Sequence, residues 1–175
     1  MSIPFIKCLE IGHYYEHKSI DILKKHNFKK ITNEYNYNPF YDLTAIKNKK
    51  TVYIECKYNK LTHKTNKIFL ECCKINLQPS GLSITKSNYI IFFSYYKYWI
   101  VKTKKVKILL EQTIKNILIN NGINNPTHEQ LILYIEHEGI KTHNTIGILI
   151  NVDDVNKICK YSGTHKNNFN KKKLF

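Results

Sequence analysis

Hydrophobic positions change period several times along the chain, and each change marks an element. Between residues 12 and 28, Glu16, Ile20 and Leu23 recur at i, i+4 and i+7 with Tyr15 and Ile22 beside them, which predicts a helix. His26-Asn27 is its stop signal, and Lys24-Lys25 suit the negative end of the helix dipole. From 30 to 37 apolar and polar residues alternate through Ile31, Tyr35 and Tyr37, a strand pattern that Pro39 interrupts. Residues 42–46 and 51–58 read as two further strands joined by the turn Lys47-Asn48-Lys49-Lys50. This stretch is expected to form an antiparallel meander entered from a helix.

Residues 59–67 are polar and basic and read as an exposed loop, followed by an extended segment over 68–73. Pro79-Ser80-Gly81 is a turn signal leading into a short helix or loop. The β-prone runs 88–94 and 98–102 predict a hairpin across Tyr95-Tyr96-Lys97. Helical spacing returns through Val106, Leu109, Leu110, Ile114, Ile117 and Leu118, predicting a helix over 103–120, and a second helix opens at Pro126-Thr127 and runs to 138. A strand over 145–152 and a short helix over 153–160 close a single domain, 1–161, leaving 162–175 as a basic, Asn-rich tail expected to be disordered. There is no internal repeat. The fold class is α/β or α+β, with a central mixed sheet flanked by helices.

Charge narrows the partner. The 28 basic residues are all Lys and face 13 acidic ones, a formal net charge of +15 on 175 residues. That favours a polyanion, nucleic acid before an acidic membrane surface. An AT-rich genome would raise Lys and suppress Arg, but it leaves the scarcity of Asp and Glu unexplained. The 5 Cys form no CxxC pair and read as free thiols in a reducing compartment. The amino terminus lacks the apolar core of a secretory signal, and the longest apolar run, 89–100, is broken by Ser94 and Lys97. A soluble, intracellular protein with no membrane partner is expected.

Because acids are scarce, their positions are informative. Glu55 and Lys57 are two apart on one predicted strand and leave the same face, whereas Val52, Ile54 and Cys56 leave the other and can pack a core. Asp42 begins the preceding strand, 13 residues earlier, so two short strands and a tight turn bring it beside Glu55. Paired carboxylates hold a hard divalent cation, and an adjacent ammonium stabilises charge developing on a phosphate. Together these form a phosphodiester-cleaving arrangement.

Pro39-Phe40-Tyr41-Asp42 and Glu55-Cys56-Lys57 resemble the two halves of the motif of the PD-(D/E)XK nuclease superfamily. The spacing and the preceding helix look like those of archaeal Holliday-junction resolvases and phage-type nucleases. The stretch from Pro79-Ser80-Gly81 to Asn88-Tyr89 resembles a segment of small phage and viral members, preceded there by an extended segment bearing a Glu, here Glu71. The likeness covers about 12–102; the Pro stands three residues before Asp42 rather than next to it. It implies a restriction-endonuclease-like core and a metal-dependent DNA endonuclease of recombination, repair or replication. By the same likeness Mg²⁺ or Mn²⁺ would be held by Asp42, Glu55, Glu16 and the Cys56 backbone carbonyl, with Lys57 catalytic, and junction-cleaving relatives imply a homodimer. The alternative is a nuclease-like fold that binds nucleic acid without cutting it.

Other candidates carry two readings each. Glu71 is a further site carboxylate or a strand Glu paired with a Lys. Ser80, Ser83, Thr85 and Lys86 contact a DNA phosphate or form an ordinary turn. Lys60 and Lys64, with Lys24, Lys25, Lys29, Lys30 and Lys67, grip the backbone or are simply solvated. Tyr95, Tyr96, Tyr98 and Trp99 stack on bases or pack the hairpin onto the sheet. His13 and His17 have helical ligand spacing without a third partner, His63 suits a backbone contact, and Asp153-Asp154 suit a helix start.

Overall fold

The computed structural model describes residues 5–33, 38–142 and 144–166. Helix α1 (Phe5–Lys25) leads into β1 (Lys29–Asn33), β2 (Leu43–Lys47) and β3 (Lys50–Tyr58). A single turn α2 (Thr62–Thr65), β4 (Lys67–Lys74) and a 3-10 turn at Gly81–Ser83 connect β3 to β5 (Tyr89–Phe93) and β6 (Lys97–Lys102). Then follow α3 (Thr103–Asn120), α4 (His128–Glu138), β7 (Ile140–Lys141), β8 (Thr145–Asn151), α5 (Val152–Ile158) and β9 (Tyr161–Thr164). Among the described residues no helix is long and apolar enough to cross a membrane.

The first helix starts well before residue 12. Gly12 is an interior helical residue, and the buried face runs through Tyr15, Ser19, Ile22 and Leu23 at i, i+4, i+7 and i+8. Glu16 and Ile20 therefore lie on the margin of the apolar stripe rather than at its centre. Asn27 adopts a left-handed conformation, φ 60°, and the Phe28 N–H returns to the Leu23 carbonyl at 3.1 Å, which ends the helix at the expected stop. The first strand is shorter than expected among the described residues, because 34–37 lie outside them.

Six strands form one mixed sheet in the order β1-β2-β3-β5-β6-β9. All neighbours are antiparallel except β3 and β5, whose parallel register pairs Glu55 with Ile90 and Lys57 with Phe92. The parallel step needs a long crossover, and that crossover contributes β4 to a second, three-stranded antiparallel sheet of order β4-β8-β7. The strand alternation then sorts two cores. Val52, Ile54, Tyr89, Ile91, Phe93, Tyr98 and Ile100 pack under α1, while Ile90, Phe92, Trp99 and Val101 pack against Ile68, Leu70, Ile150 and the α3 and α5 residues Val106 and Val155. A third cluster joins Cys72 and Ile148 to Ile114 and Leu118 of α3 and Leu131 of α4.

Two expectations need correcting. The domain does not end at residue 161: Tyr161–Thr164 is an edge strand paired with β6 (Ile100↔Tyr161, Lys97↔Thr164), and His165 beyond it is buried. The open edge of β6 offers a ladder of backbone groups that a polar segment fills as well as an apolar one. The rest of the expected tail, 167–175, lies outside the described residues. The loop over 59–67 is not fully exposed either, since Thr62 of α2 is buried and its hydroxyl donates to the Lys67 carbonyl at 2.7 Å.

Candidate functional site

The site grows from the place where β2 begins beside the middle of β3. Leu43 pairs with Ile54 in the antiparallel register, so the preceding residue, Asp42, lies opposite Glu55. The Asp42 N–H donates to the Ile54 carbonyl at 2.9 Å, and Asp42 Oδ2 accepts from the Cys56 N–H at 2.6 Å. The Asp42 carboxylate is therefore fixed by backbone, whereas that of Glu55 is held by side chains. Glu55 is buried, and its Oε1 receives the Lys57 ammonium at 2.8 Å. The two-residue spacing on β3 does what strand geometry requires: Glu55 and Lys57 share a face, while Val52, Ile54 and Cys56 turn into the α1 core.

A second chain segment locks the pair. The Thr85 hydroxyl lies 2.9 Å from the Phe40 carbonyl and 3.3 Å from Glu55 Oε2, and the Lys86 N–H donates to the same Phe40 carbonyl at 3.1 Å. Lys86 Nζ stands 4.0 Å above the Phe40 ring. The stretch after Pro79-Ser80-Gly81 thus clamps the loop that carries Asp42 against the strand that carries Glu55. Gly81 permits this approach: its φ is +53°, and a Cβ there would come 2.5 Å from the Glu71 carbonyl.

Burial, then the neighbouring Glu55 charge, pushes the Asp42 carboxyl up to about 7, against the Cys56 N–H and the Lys57 charge, which pull it down. Lys57 moves up as well; burial opposes its charge, but the carboxylates of Glu55, Glu71 and Asp42 outweigh that cost. A cavity of about 130 Å³ adjoins the ammonium, lined by Glu55, Lys57, Glu71, Thr85, Phe69 and Phe92, and has room for ordered water. The donor set suits a divalent cation. Two hard oxygen donors lie opposite each other across one strand pair, and burial first, with the Glu55 charge second, holds a proton on Asp42 that a 2+ ion would displace.

Not every expected ligand joins them. Among the described residues no group of three or more His, Cys, Asp or Glu side chains comes together as a metal cluster. Glu16 is half-buried on α1, which covers the opposite face of the sheet from Glu55, and its Oε2 accepts from Asn33 Nδ2 at 3.0 Å. It acts on Asp42 as a nearby negative charge rather than closing a three-carboxylate cluster. The Cys56 thiol faces the α1 side, 3.1 Å from Ser19 Oγ, and burial drives its pKa far up, so it stays neutral.

The expected phosphate contacts divide in the same way. Ser80 and Thr85 are buried, and Thr85 serves the clamp, so neither presents its hydroxyl to a polymer outside. Ser83 directs its hydroxyl to the Cys72 and Ser80 carbonyls at 2.8 and 2.7 Å. Lys64 and Lys86 are exposed and Lys60 is half-buried. Asp153 and Asp154 open α5, as expected of a helix start. Sequence reasoning missed Asn33 as the holder of Glu16, Ser19 behind Cys56, and the structural role of Thr85; each is a contact between segments far apart in the chain, without a local signal. No family model, curated protein or solved structure matches the chain.

Proposed function

We propose that this chain is a divalent-cation-dependent phosphodiesterase that hydrolyses nucleic acid, DNA in the first instance. One observation carries the reading: Asp42 lies opposite Glu55 on neighbouring strands while Lys57 meets Glu55 at 2.8 Å on the same face. The likeness to PD-(D/E)XK nucleases points the same way, and we read α1, β1 to β3 and β5 as the corresponding core. An intracellular, DNA-bound and dimeric state belongs to the same proposal.

In this reading Asp42, Glu55 and the Cys56 carbonyl hold Mg²⁺ or Mn²⁺, which when bound supplies Lewis-acid stabilisation of the charge that builds on the phosphate. Lys57 keeps its proton because three carboxylates surround it, and its ammonium stabilises negative charge on the reacting phosphate. Glu55 holds that ammonium in place, the clamp from Thr85 to Phe40 holds Glu55 against Asp42, and the cavity beside Lys57 admits water to the face where a phosphate would lie.

The test is cleavage of labelled single-stranded and duplex DNA with Mg²⁺ or Mn²⁺ at pH 8. Asp42→Asn and Glu55→Gln are each expected to abolish cutting while leaving binding in place. Wild-type protein that binds DNA with a steep salt dependence yet cuts nothing would establish the non-cutting binding module instead.

A further inference from the structure

The structure separates the four aromatics of the β5–β6 hairpin. Tyr98 and Trp99 are buried in the two cores, whereas Tyr96 at the tip is 56% exposed. Such a ring on a loose loop would carry no message, but this tip is braced. The Ser94 N–H donates to the Lys97 carbonyl at 2.9 Å, and the His165 N–H reaches the Tyr96 carbonyl at 2.8 Å. The buried His165 ring also lies 3.1 Å from the Ser94 carbonyl. Tyr95 meets Tyr96 edge-on at 4.5 Å and 85°, which fixes the ring plane.

The turn α2 lies alongside. Asn59 donates to the Phe93 carbonyl at 2.7 Å, and His63 comes within 5.6 Å of Tyr95. Leu61 on this turn is 60% exposed, and Lys64 and Lys97 are both exposed. Neither 59–68 nor 94–98 contains an acidic residue. The ledge stands at the carboxyl ends of the parallel strands β3 and β5, directly beyond Lys57.

We propose that this ledge receives an unpaired nucleobase, stacked on Tyr96, with the flanking phosphates drawn to Lys64 and Lys97. The flat exposed ring fits a base face, which a duplex hides, and lysines on segments that carry no acid fit the backbone. The substrate class is then a single-stranded or frayed nucleic acid entering the site from the carboxyl ends of β3 and β5. This rests on the nuclease reading for what happens at Lys57, but its test is a binding measurement made without metal.

Fluorescence anisotropy in EDTA would compare a labelled oligothymidylate, the same strand built from abasic residues, an oligouridylate and a duplex. Tyr96→Ala is expected to weaken the two base-bearing single strands about 5- to 100-fold and to leave the abasic strand and the duplex within about twofold. Tyr96→Phe should retain wild-type binding, and unchanged thermal melting of both variants verifies their fold. Lys64→Ala should lower the salt slope by about one for every strand. A loss confined to one sugar identifies DNA or RNA as the source of the base and still supports the ledge. Equal wild-type affinity for abasic and base-bearing strands, or Tyr96→Ala binding like wild type, overturns it. If the wild type cuts DNA while Tyr96→Ala binds normally, the ledge falls and the nuclease reading stands; if the wild type binds no nucleic acid, both fall.

Discussion

The two faces of the strands β3 and β5 are built from alternate residues of the same short segments, yet they do opposite things. Toward α1, Ile54, Ile91 and Phe93 meet Leu23 and Tyr15 in a closed apolar layer. Toward the second sheet, Ile90 and Phe92 pack in the same manner, but Glu55 and Lys57 stand beside them on β3. The charges are tolerated because this face is only partly roofed: Lys57 keeps 37% of its side chain exposed, and a cavity remains under β4. One face secures the sheet, and the other uses its incomplete cover to hold ionised groups at defined positions. Substitutions on the two faces should therefore separate stability from chemistry.

The largest effect is expected on the α1 face. Phe93 is fully buried against Tyr15, with ring centroids 4.9 Å apart. Phe93→Ala should cost about 3–5 kcal/mol by urea unfolding, from lost burial and the cavity left behind. A loss under about 1 kcal/mol would mean that the α1 face collapses around the gap and does not secure the sheet.

Next comes Lys57, on the other face. Lys57→Met keeps most of the packed stem and removes the charge. It should lower cleavage about 100-fold, the scale of losing one preorganised stabiliser of the transition state, while unfolding stability changes far less than in Phe93→Ala. Wild-type turnover by this variant would reduce Lys57 to a strand residue that happens to face Glu55.

The contrast between the faces was legible in the sequence where it is a matter of period. Alternation over residues 51–58 identified which side chains of β3 enter the core, and the spacing of Asp42 and Glu55 placed them side by side. The helix over Thr103–Asn120 was equally plain from its apolar spacing. What the sequence concealed depends on pairing between distant segments. β9 is four residues with polar side chains and a glycine, and only the open edge of β6 makes it a strand. Thr85 reads as a turn hydroxyl until Phe40, 45 residues away, is placed against it. Glu16 sits on a helix that lies across the sheet from Glu55 and is bound by Asn33, a relation that no spacing along α1 expresses.

A smaller effect concerns Asp42. Its folded pKa, about 7, lies above the ordinary carboxylate value, so the native state holds a proton that the unfolded chain releases. That contribution to stability is complete below about pH 4 and is lost as the pH rises through about 7, on the order of 2 kcal/mol once solvent screening is allowed for. His26 and His165 are shifted downward by burial and act in the opposite direction over part of this window. Wild type should therefore be compared with Asp42→Asn. The stability of the wild type relative to the variant should fall between pH 4 and 7, and Mg²⁺ at pH 8 should raise the melting temperature of the wild type alone. Parallel pH profiles for the two proteins would place Asp42 outside the repelling pair.

The smallest expected effect lies farthest from both faces of β3, at the start of α4. Thr127 accepts from the Gln130 N–H at 3.3 Å, and Gln130 Oε1 accepts from the Thr127 N–H at 2.8 Å, a reciprocal capping box. The helix it opens contributes Leu131 to the third cluster and leaves Ile132 and Leu133 exposed, so α4 closes the outer end of the molecule without touching the site. Thr127→Ala removes the acceptor for one orphan N–H and should cost about 1 kcal/mol. Hydrogen exchange should localise that loss to residues 128–138, with DNA binding and cleavage unchanged, because α4 packs through Leu131 onto the third cluster and not onto Glu55 or Lys57. If the capping variant instead altered cleavage, the second sheet would be transmitting strain through Cys72 and Glu71 of β4 to Lys57. The division of labour between the two faces would then have to be redrawn to include α4.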